Sequence, residues 1–457
     1  MRVDRACRAW RGLIGTRRGA TSLLFAVSVV ALLGLVALGS EVGNWYMAHR
    51  LGQNATDAAA IAGALAVARA ENENTAVATA ASDDGFVDGV GGVTVSITSP
   101  GRRSNFGAVK VTITQTIAPI LTAMFGMGTI NVVNQATALA QPYAVCGVSF
   151  GPLTLDGSGN FASSNCGLAS NSSITASGSP AGVALVSAST CSGCSTPFFT
   201  YQPPVQNPYS DLDSASMSSL FTAASCNNVP AASGGIIELA DPAHPSNAAN
   251  VGVTMSPSNV VAYCDPGGLN TGSATSLVVH AGATYILSGM NINFAGGTVN
   301  CPDCWISPTV SNGTGPAGNA GVTFVLTGSY SGGFSAATTG TITISNTAIA
   351  MNAPEVSLTG SLFDGVLFYR DFGAGDAGCS VSIALTAGTV GGRSADMAGG
   401  MYFPTSCMSF AAPATTSTCS AIFANTLSFP GEAVLDDVDC GNVGATNPFL
   451  YATTITE

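Results

Sequence analysis

Residues 341–358 read TITISNTAIAMNAPEVSL. Three apolar-rich segments, centred near Thr343, Ala350 and Ser357, follow one another about seven residues apart. Each is too short for a helix, and Asn352-Ala353-Pro354 marks a corner between the last two. The same texture extends in both directions, from about Cys146 to the C-terminus. Gly, Ser, Thr, Ala and Asn dominate, and short strands are expected at 323–326, 341–344, 356–358, 366–369, 381–385, 401–403, 422–423 and 427–429. The one helical signal in this region is 212–224. Strands joined by single tight corners predict coils stacked in a solenoid, with apolar residues inside. The expected fold is therefore mainly β, with a large exported β-domain at 144–457 built as a parallel β-helix. A β-sandwich is the alternative, because the spacing is irregular and no fixed motif recurs.

Upstream, the composition changes. Residues 20–40, ATSLLFAVSVVALLGLVALGS, carry no charge. As a helix they span ~31 Å, enough to cross the hydrocarbon core of a bilayer. Six arginines (Arg2, Arg5, Arg8, Arg11, Arg17 and Arg18) precede this run, and they predict a cytoplasmic N-terminus with the remainder exported. Trp45 and Tyr46 follow it at interfacial level. The competing reading is a cleaved signal peptide. Ala37-Leu38-Gly39 has small-x-small form, and Thr16-Arg17-Arg18 echoes a twin-arginine signal. Continuity favours a retained anchor, since helix-favouring residues run on past the membrane. The division is then a basic arm at 1–19, a transmembrane helix at 20–43, a juxtamembrane helix with a small α+β unit at 44–143, and the β-domain. The expected location is the bacterial inner membrane, in a single pass, with the bulk periplasmic or otherwise extracytoplasmic.

Composition excludes other classes. The chain of 457 residues carries 13 basic and 25 acidic residues, a net charge of −12, so no nucleic-acid partner is expected. Only 8% of residues are charged while 46% are hydrophobic, the reverse of a disordered chain.

A helix is expected from Glu41 to roughly Ala81. In it, Ala55, Ala58, Ala59, Ala62 and Ala66 recur at three- and four-residue steps. Such a small-residue stripe suits either assembly with a partner helix or close packing on the chain's own domain. Strict alternation predicts strands at 93–98 (VTVSIT) and 109–114 (VKVTIT), with a turn at 101–105. A short helix at 119–125 and a third strand at 130–139 complete the unit.

Arg18-Gly19-Ala20, Glu41, Val42-Gly43, Tyr46 and the run LGQNATDAAAIAGA at 51–64 together resemble the TadE/TadG family. These are single-span proteins encoded with bacterial tight-adherence (Flp) pilus systems. The match covers about residues 15–66. It implies an inner-membrane protein that helps to assemble or stabilise the pilus apparatus, with the lipid bilayer and other pilus-assembly membrane proteins as partners. The phrases at 282–289, 365–369 and 400–404 also resemble the exported parts of such proteins. Two family features are missing. Position five after Gly19 is Leu24 rather than an acid, so pilin-type cleavage is not expected. Asp156-Gly157-Ser158-Gly159-Asn160 lacks the last serine of a von Willebrand A metal site and reads as a Gly-rich turn.

Cys7 falls on the cytoplasmic side. The other twelve cysteines, Cys146, Cys166, Cys191, Cys194, Cys226, Cys264, Cys301, Cys304, Cys379, Cys407, Cys419 and Cys440, lie on the oxidising side and predict disulfides. Cys191/Cys194 and Cys301/Cys304 have Cys-x-x-Cys spacing. A four-thiolate zinc site or a redox pair would use that spacing, but structural disulfides are expected. Of the three histidines, His49 is juxtamembrane, His244 lies in a turn and His280 follows a strand. No nucleophile elbow accompanies them. Asp364, Asp371 and Asp376 flank Arg370, and Asp436, Asp437 and Asp439 group near the end. These suit solvated turns better than glycosidic acid–base chemistry or Ca²⁺. No enzyme activity, cofactor or metal ligand is assigned.

Overall fold

The computed structural model describes residues 17–68, 71–98, 108–119, 123, 126, 128–156, 162–163, 166–177, 184–194, 198–214, 220, 226–255, 259–272, 275–306, 321–330, 334–335, 340–355, 362–371, 381–385, 389–390, 393–394, 396–411, 419–430, 434–435, 440–445 and 449–455. Two compact units result. The first comprises Met1–Gln141 with Thr453–Glu457, and the second Pro142–Ala452. The chain therefore leaves the first unit, builds the second and contributes its last residues to the first.

In the first unit, Arg17–Ala68 form a single 52-residue helix, α1. Among the described residues it is the one helix long and apolar enough to cross a membrane. Leu24, Phe25, Val30, Leu33 and Val36 stand exposed along its N-terminal half. The helix expected to reach Ala81 is instead interrupted. A second helix, α2, runs over Glu73–Asp83, and the Asn72 side chain caps it by accepting from the Thr75 N–H at 3.1 Å. Asn is a strong N-cap and Glu73 favours a first turn, so a new helix starts here. The chain can then fold α2 back onto α1. Gly63 permits the approach: a Cβ there would lie 2.7 Å from a Val77 methyl and 3.0 Å from one of Val109.

Strands β1 (Val93–Thr98), β2 (Ala108–Ile117) and the first half of β3 (Ile130–Ser149) form an antiparallel sheet, with Val95 opposite Ile113 and Val111 opposite Ala136. Period-two alternation puts Val109, Val111, Ile113, Ala136 and Ala138 on the buried face. The short helix expected at 119–125 falls largely outside the described residues.

The second unit is mainly β, and its long-range pairings are parallel. Strands fall into three ladders that the chain visits in rotation. The first contains Val260–Tyr263, Thr284–Ser288, Thr323–Thr327 and Val366–Arg370, each paired with the next. The second contains Leu269–Thr271, Ile292–Ala295 and the start of Ile342–Asn352. The third contains Ile236–Glu238, Ser276–Val278, Thr298–Asn300 and the end of Ile342–Asn352. The stretch at 341–358 is thus a corner between the second and third ladders, its 356–358 strand lying outside the described residues.

The sequence order of the ladders is not their spatial order. The end of β3 pairs with Ser420–Phe429 on one side and Gly167–Ser170 on the other. The first and last strands of the unit therefore adjoin in the middle. From there the chain runs out to Phe198–Phe199, crosses over, and restarts at Cys226–Asn227 beyond Val260–Tyr263.

Burial follows the ladders. Second- and third-ladder strands alternate, as in Ile292–Ala295, where Ile292 and Phe294 are buried and Asn293 is exposed. First-ladder strands are buried throughout, as in Thr323–Thr327 and Val366–Arg370. One face of the first ladder lines the main core and the other is covered, the usual condition of parallel sheets. The crossing segment supplies part of that cover through Val205, Tyr209 and Leu212. Of the helix expected over 212–224, most lies outside the described residues; a short helix at Ser210–Asp213 overlaps its start, and residue 220 is helical.

Candidate functional site

The alanine stripe is split by the fold. Ala55, Ala59 and Ala66 are buried within the chain, whereas Ala58 is exposed and Ala62 half-buried. The surrounding motif also turns inward. Gln53 donates to Asp57 at 2.8 Å and to the Gln135 carbonyl at 3.2 Å, tying α1 to β3. Gly52 leaves room for the buried Asn134 amide, with which a Cβ would clash. A docking role on the chain's own sheet accounts for these residues.

Among the described residues, disulfides join Cys146–Cys166, Cys191–Cys194, Cys226–Cys264, Cys301–Cys304 and Cys419–Cys440. Cys407 is also disulfide-bonded, and Cys379 lies outside the described residues. Both Cys-x-x-Cys pairs are closed on themselves, so their sulfurs do not form a four-thiolate site. Cys146–Cys166 ties β3 to the start of its parallel partner Gly167–Ser170, and Cys226–Cys264 ties Cys226–Asn227 to the end of its parallel partner Val260–Tyr263.

The acidic candidates separate as well. Asp371 is buried and accepts from the Thr327 hydroxyl at 2.8 Å, while the buried Arg370 guanidinium donates to Ser406. Both act inside the ladders. Asp376, Asp436, Asp437 and Asp439 lie outside the described residues.

A polar group does form where the crossing segment meets the first ladder. Tyr402 donates its hydroxyl proton to Asp213, Asn207 donates to Asp213 at 3.2 Å and to the Tyr402 hydroxyl at 2.6 Å, and the Tyr369 hydroxyl donates to the Leu212 carbonyl at 2.9 Å. Burial raises the Asp213 carboxyl above its ordinary value, against the opposing hydrogen bonds from Tyr402 and Asn207. A folded-state pKa above the unfolded one gives stability that is present at low pH and declines as pH rises through the folded value. Asp213→Asn removes that dependence. The melting temperature of the variant minus that of the wild type is expected to increase from pH 4 to pH 7, and a flat difference would refute the assignment.

Among the described residues, a dense set of reactive side chains sits at the Ile236–Glu238 end of the third ladder. Glu238, Val278 and Asn300 lie side by side in register. The chain turns just after each, and those turns carry Asp241, His280 and Asp303. Asp241 and His280 are buried, with side-chain exposures of 3% and 6%. His280 Nδ1 lies 3.2 Å from Asp303 Oδ2 and 3.5 Å from Asp241 Oδ2, while its Nε2 lies 3.2 Å from Glu238 Oε1. His244 Nδ1 approaches Asp241 Oδ2 at 2.9 Å. Asp241, His244 and Asp303 each place one donor atom within 4.8 Å of the others.

The local sequence holds this arrangement. Asn250 accepts from the Asp241 N–H at 2.7 Å and donates to the Asp241 carbonyl at 2.7 Å and the His244 carbonyl at 2.9 Å, and Asn247 donates to Asp241 Oδ2 at 3.0 Å. Below it, the Tyr285 hydroxyl donates to the Ala240 carbonyl at 2.8 Å, and the Ala240 N–H donates to the Tyr263 hydroxyl at 3.0 Å. Burial pushes the Tyr263 phenol up to about 12. Both phenols therefore remain neutral braces beneath the cluster. Reading His244 as a turn residue and His280 as a strand end is correct locally, yet it misses their meeting. A signal was present: Ile-Ile-Glu-Leu-Ala-Asp at 236–241, Leu-Val-Val-His at 277–280 and Val-Asn-Cys-Pro-Asp at 299–303 each place a donor residue two or three positions past an apolar strand.

Fold and site together describe a mainly β, disulfide-bearing chain with one N-terminal apolar helix and a buried His/Asp cluster. Comparison with protein-family models, curated proteins and solved structures finds no match for it.

Proposed function

We propose that the chain is a non-enzymatic, single-pass scaffold of a bacterial tight-adherence (Flp) pilus system. It is held in the inner membrane with the N-terminus cytoplasmic. The observation that carries this reading is the continuity of α1. One helix joins the exposed apolar segment to the LGQNATDAAA motif, and that motif docks on the chain's own sheet. An anchor so built fixes the small α+β unit beside the lipid. The three parallel ladders, visited in rotation, support a parallel β-helix for the exported domain, whose disulfides suit an oxidising compartment. A stiff coil with few charges offers a surface for assembly rather than a reaction centre.

Cross-linking the tagged full-length chain in the membrane of its host and identifying what co-purifies tests the role. Pilus-assembly membrane proteins are the expected partners. Glycan binding by the chain without any of these partners would replace this reading with an anchored adhesin.

A further inference from the structure

We propose that Asp241, His244, His280 and Asp303 bind one divalent metal ion of the zinc class, which ties together three turns of the chain at the end of the third ladder. This assignment is independent of the pilus reading.

The donor geometry is the first argument. In a tetrahedral site with bonds of about 2.0–2.2 Å, ligand atoms lie about 3.4 Å apart. The separations here are 2.9 Å for His244 Nδ1 to Asp241 Oδ2, 3.2 Å for His280 Nδ1 to Asp303 Oδ2, and 3.5 Å for His280 Nδ1 to Asp241 Oδ2. Three of the four donors are held by turns that follow paired strands. The fourth, His244, has a side chain 64% exposed and can rotate onto an ion without disturbing the core.

The placement of His280 is the second. Its Nδ1 faces Asp303 and Asp241 while its Nε2 faces Glu238 on the opposite side of the ring. With a cation at Nδ1, the Nε2–H donates to Glu238. That pattern, a ligating histidine oriented by a carboxylate on its far nitrogen, is the usual outer support of a metal site. Burial is the third argument. Asp241 is almost fully enclosed, and Glu238 and Asp303 add further negative charge, so a compensating cation offsets the cost of enclosing the carboxylate.

Two imidazole and two carboxylate donors select a borderline transition ion over Ca²⁺ or Mg²⁺, which prefer oxygen alone. The adjacent Cys301 and Cys304 are joined to each other and contribute no thiolate. Position gives the ion a purpose. Among the described residues, Ile236–Glu238 has a parallel partner on one side only, Ser276–Val278. An ion bridging Asp241, His280 and Asp303 would pin this outermost strand to the two behind it.

Full-length protein in detergent, stripped with chelator and then titrated with ZnCl₂ by calorimetry, tests the proposal alongside His244→Ala and Asp303→Asn. Both variants alter exposed or half-exposed side chains, so each is expected to stay folded, and the metal response of each is read against its own metal-free melting temperature. The expected result is one Zn²⁺ per chain, a higher melting temperature on binding, and affinity lower by roughly tenfold or more in each variant. Co²⁺ should give the intense visible absorption of a tetrahedral site in the wild type alone. Absent Zn²⁺ binding, equal binding by wild type and variants, or tighter binding of Ca²⁺ than of Zn²⁺ would each overturn it.

Discussion

Replacing Phe324 with alanine is expected to destabilise the second unit by about 3–5 kcal/mol, the cost of emptying a large aromatic site in a packed core. Phe324 is fully buried and occupies the middle of a column in which Tyr285, Phe324, Phe368 and Met401 face one another across successive parallel strands. Its ring centroid lies 5.5 Å from that of Tyr285 and 5.4 Å from that of Phe368. Each neighbour is fixed by its own strand register, so the site can collapse little once the ring is gone. Truncation of the exposed Asn293 to alanine serves as the control, with an expected change within about 0.5 kcal/mol. Denaturant unfolding of the purified protein measures both. A loss below about 1 kcal/mol for Phe324→Ala would mean that the column does not carry the stability of the ladders.

Removing residues 1–43 is expected to convert the chain from a membrane-bound to a soluble protein. Leu24, Phe25, Val27, Val30, Leu32, Leu33, Leu35, Val36 and Leu38 are all exposed on α1. At about 1.5–3 kcal/mol each, transfer of these nine side chains out of water favours insertion by about 14–27 kcal/mol. Membrane fractionation of the full-length and truncated chains reads the effect directly. Protease added to intact spheroplasts tests the orientation. Digestion of the bulk of the full-length chain is expected, while full protection would place that bulk on the cytoplasmic side. Retention of the truncated chain in the membrane fraction would show that α1 is not the anchor.

Parts of this architecture were legible because their causes are local. The strand at 93–98 alternates apolar and hydroxyl residues without a break, and β1 has those bounds. The apolar run at 20–40 lies within α1, as hydropathy alone requires. The interruption after Ala68 was missed although Asn72 is a good N-cap, because high alanine content on both sides masked one capping residue. The alanine stripe was recognised, but spacing cannot say whether such a face meets a partner or the sheet behind it. Val77, Val109 and Asn134 decide that, and they come from elements far along the chain.

On its own, the order of residues determined that an apolar helix leads into a small α/β unit, that a Gly- and Ser-rich chain of short strands follows, and that its cysteines would pair. Hydropathy, periodicity and redox chemistry act over a few residues, so they can be read in one dimension. Only tertiary structure decided that the second unit begins in the middle of its own ladders, with β3 between Ser420–Phe429 and Gly167–Ser170. It alone brought Asp241, His280 and Asp303 to one corner. Those neighbours are set by which strand stacks on which, and stacking depends on the joint burial of side chains drawn from the whole unit.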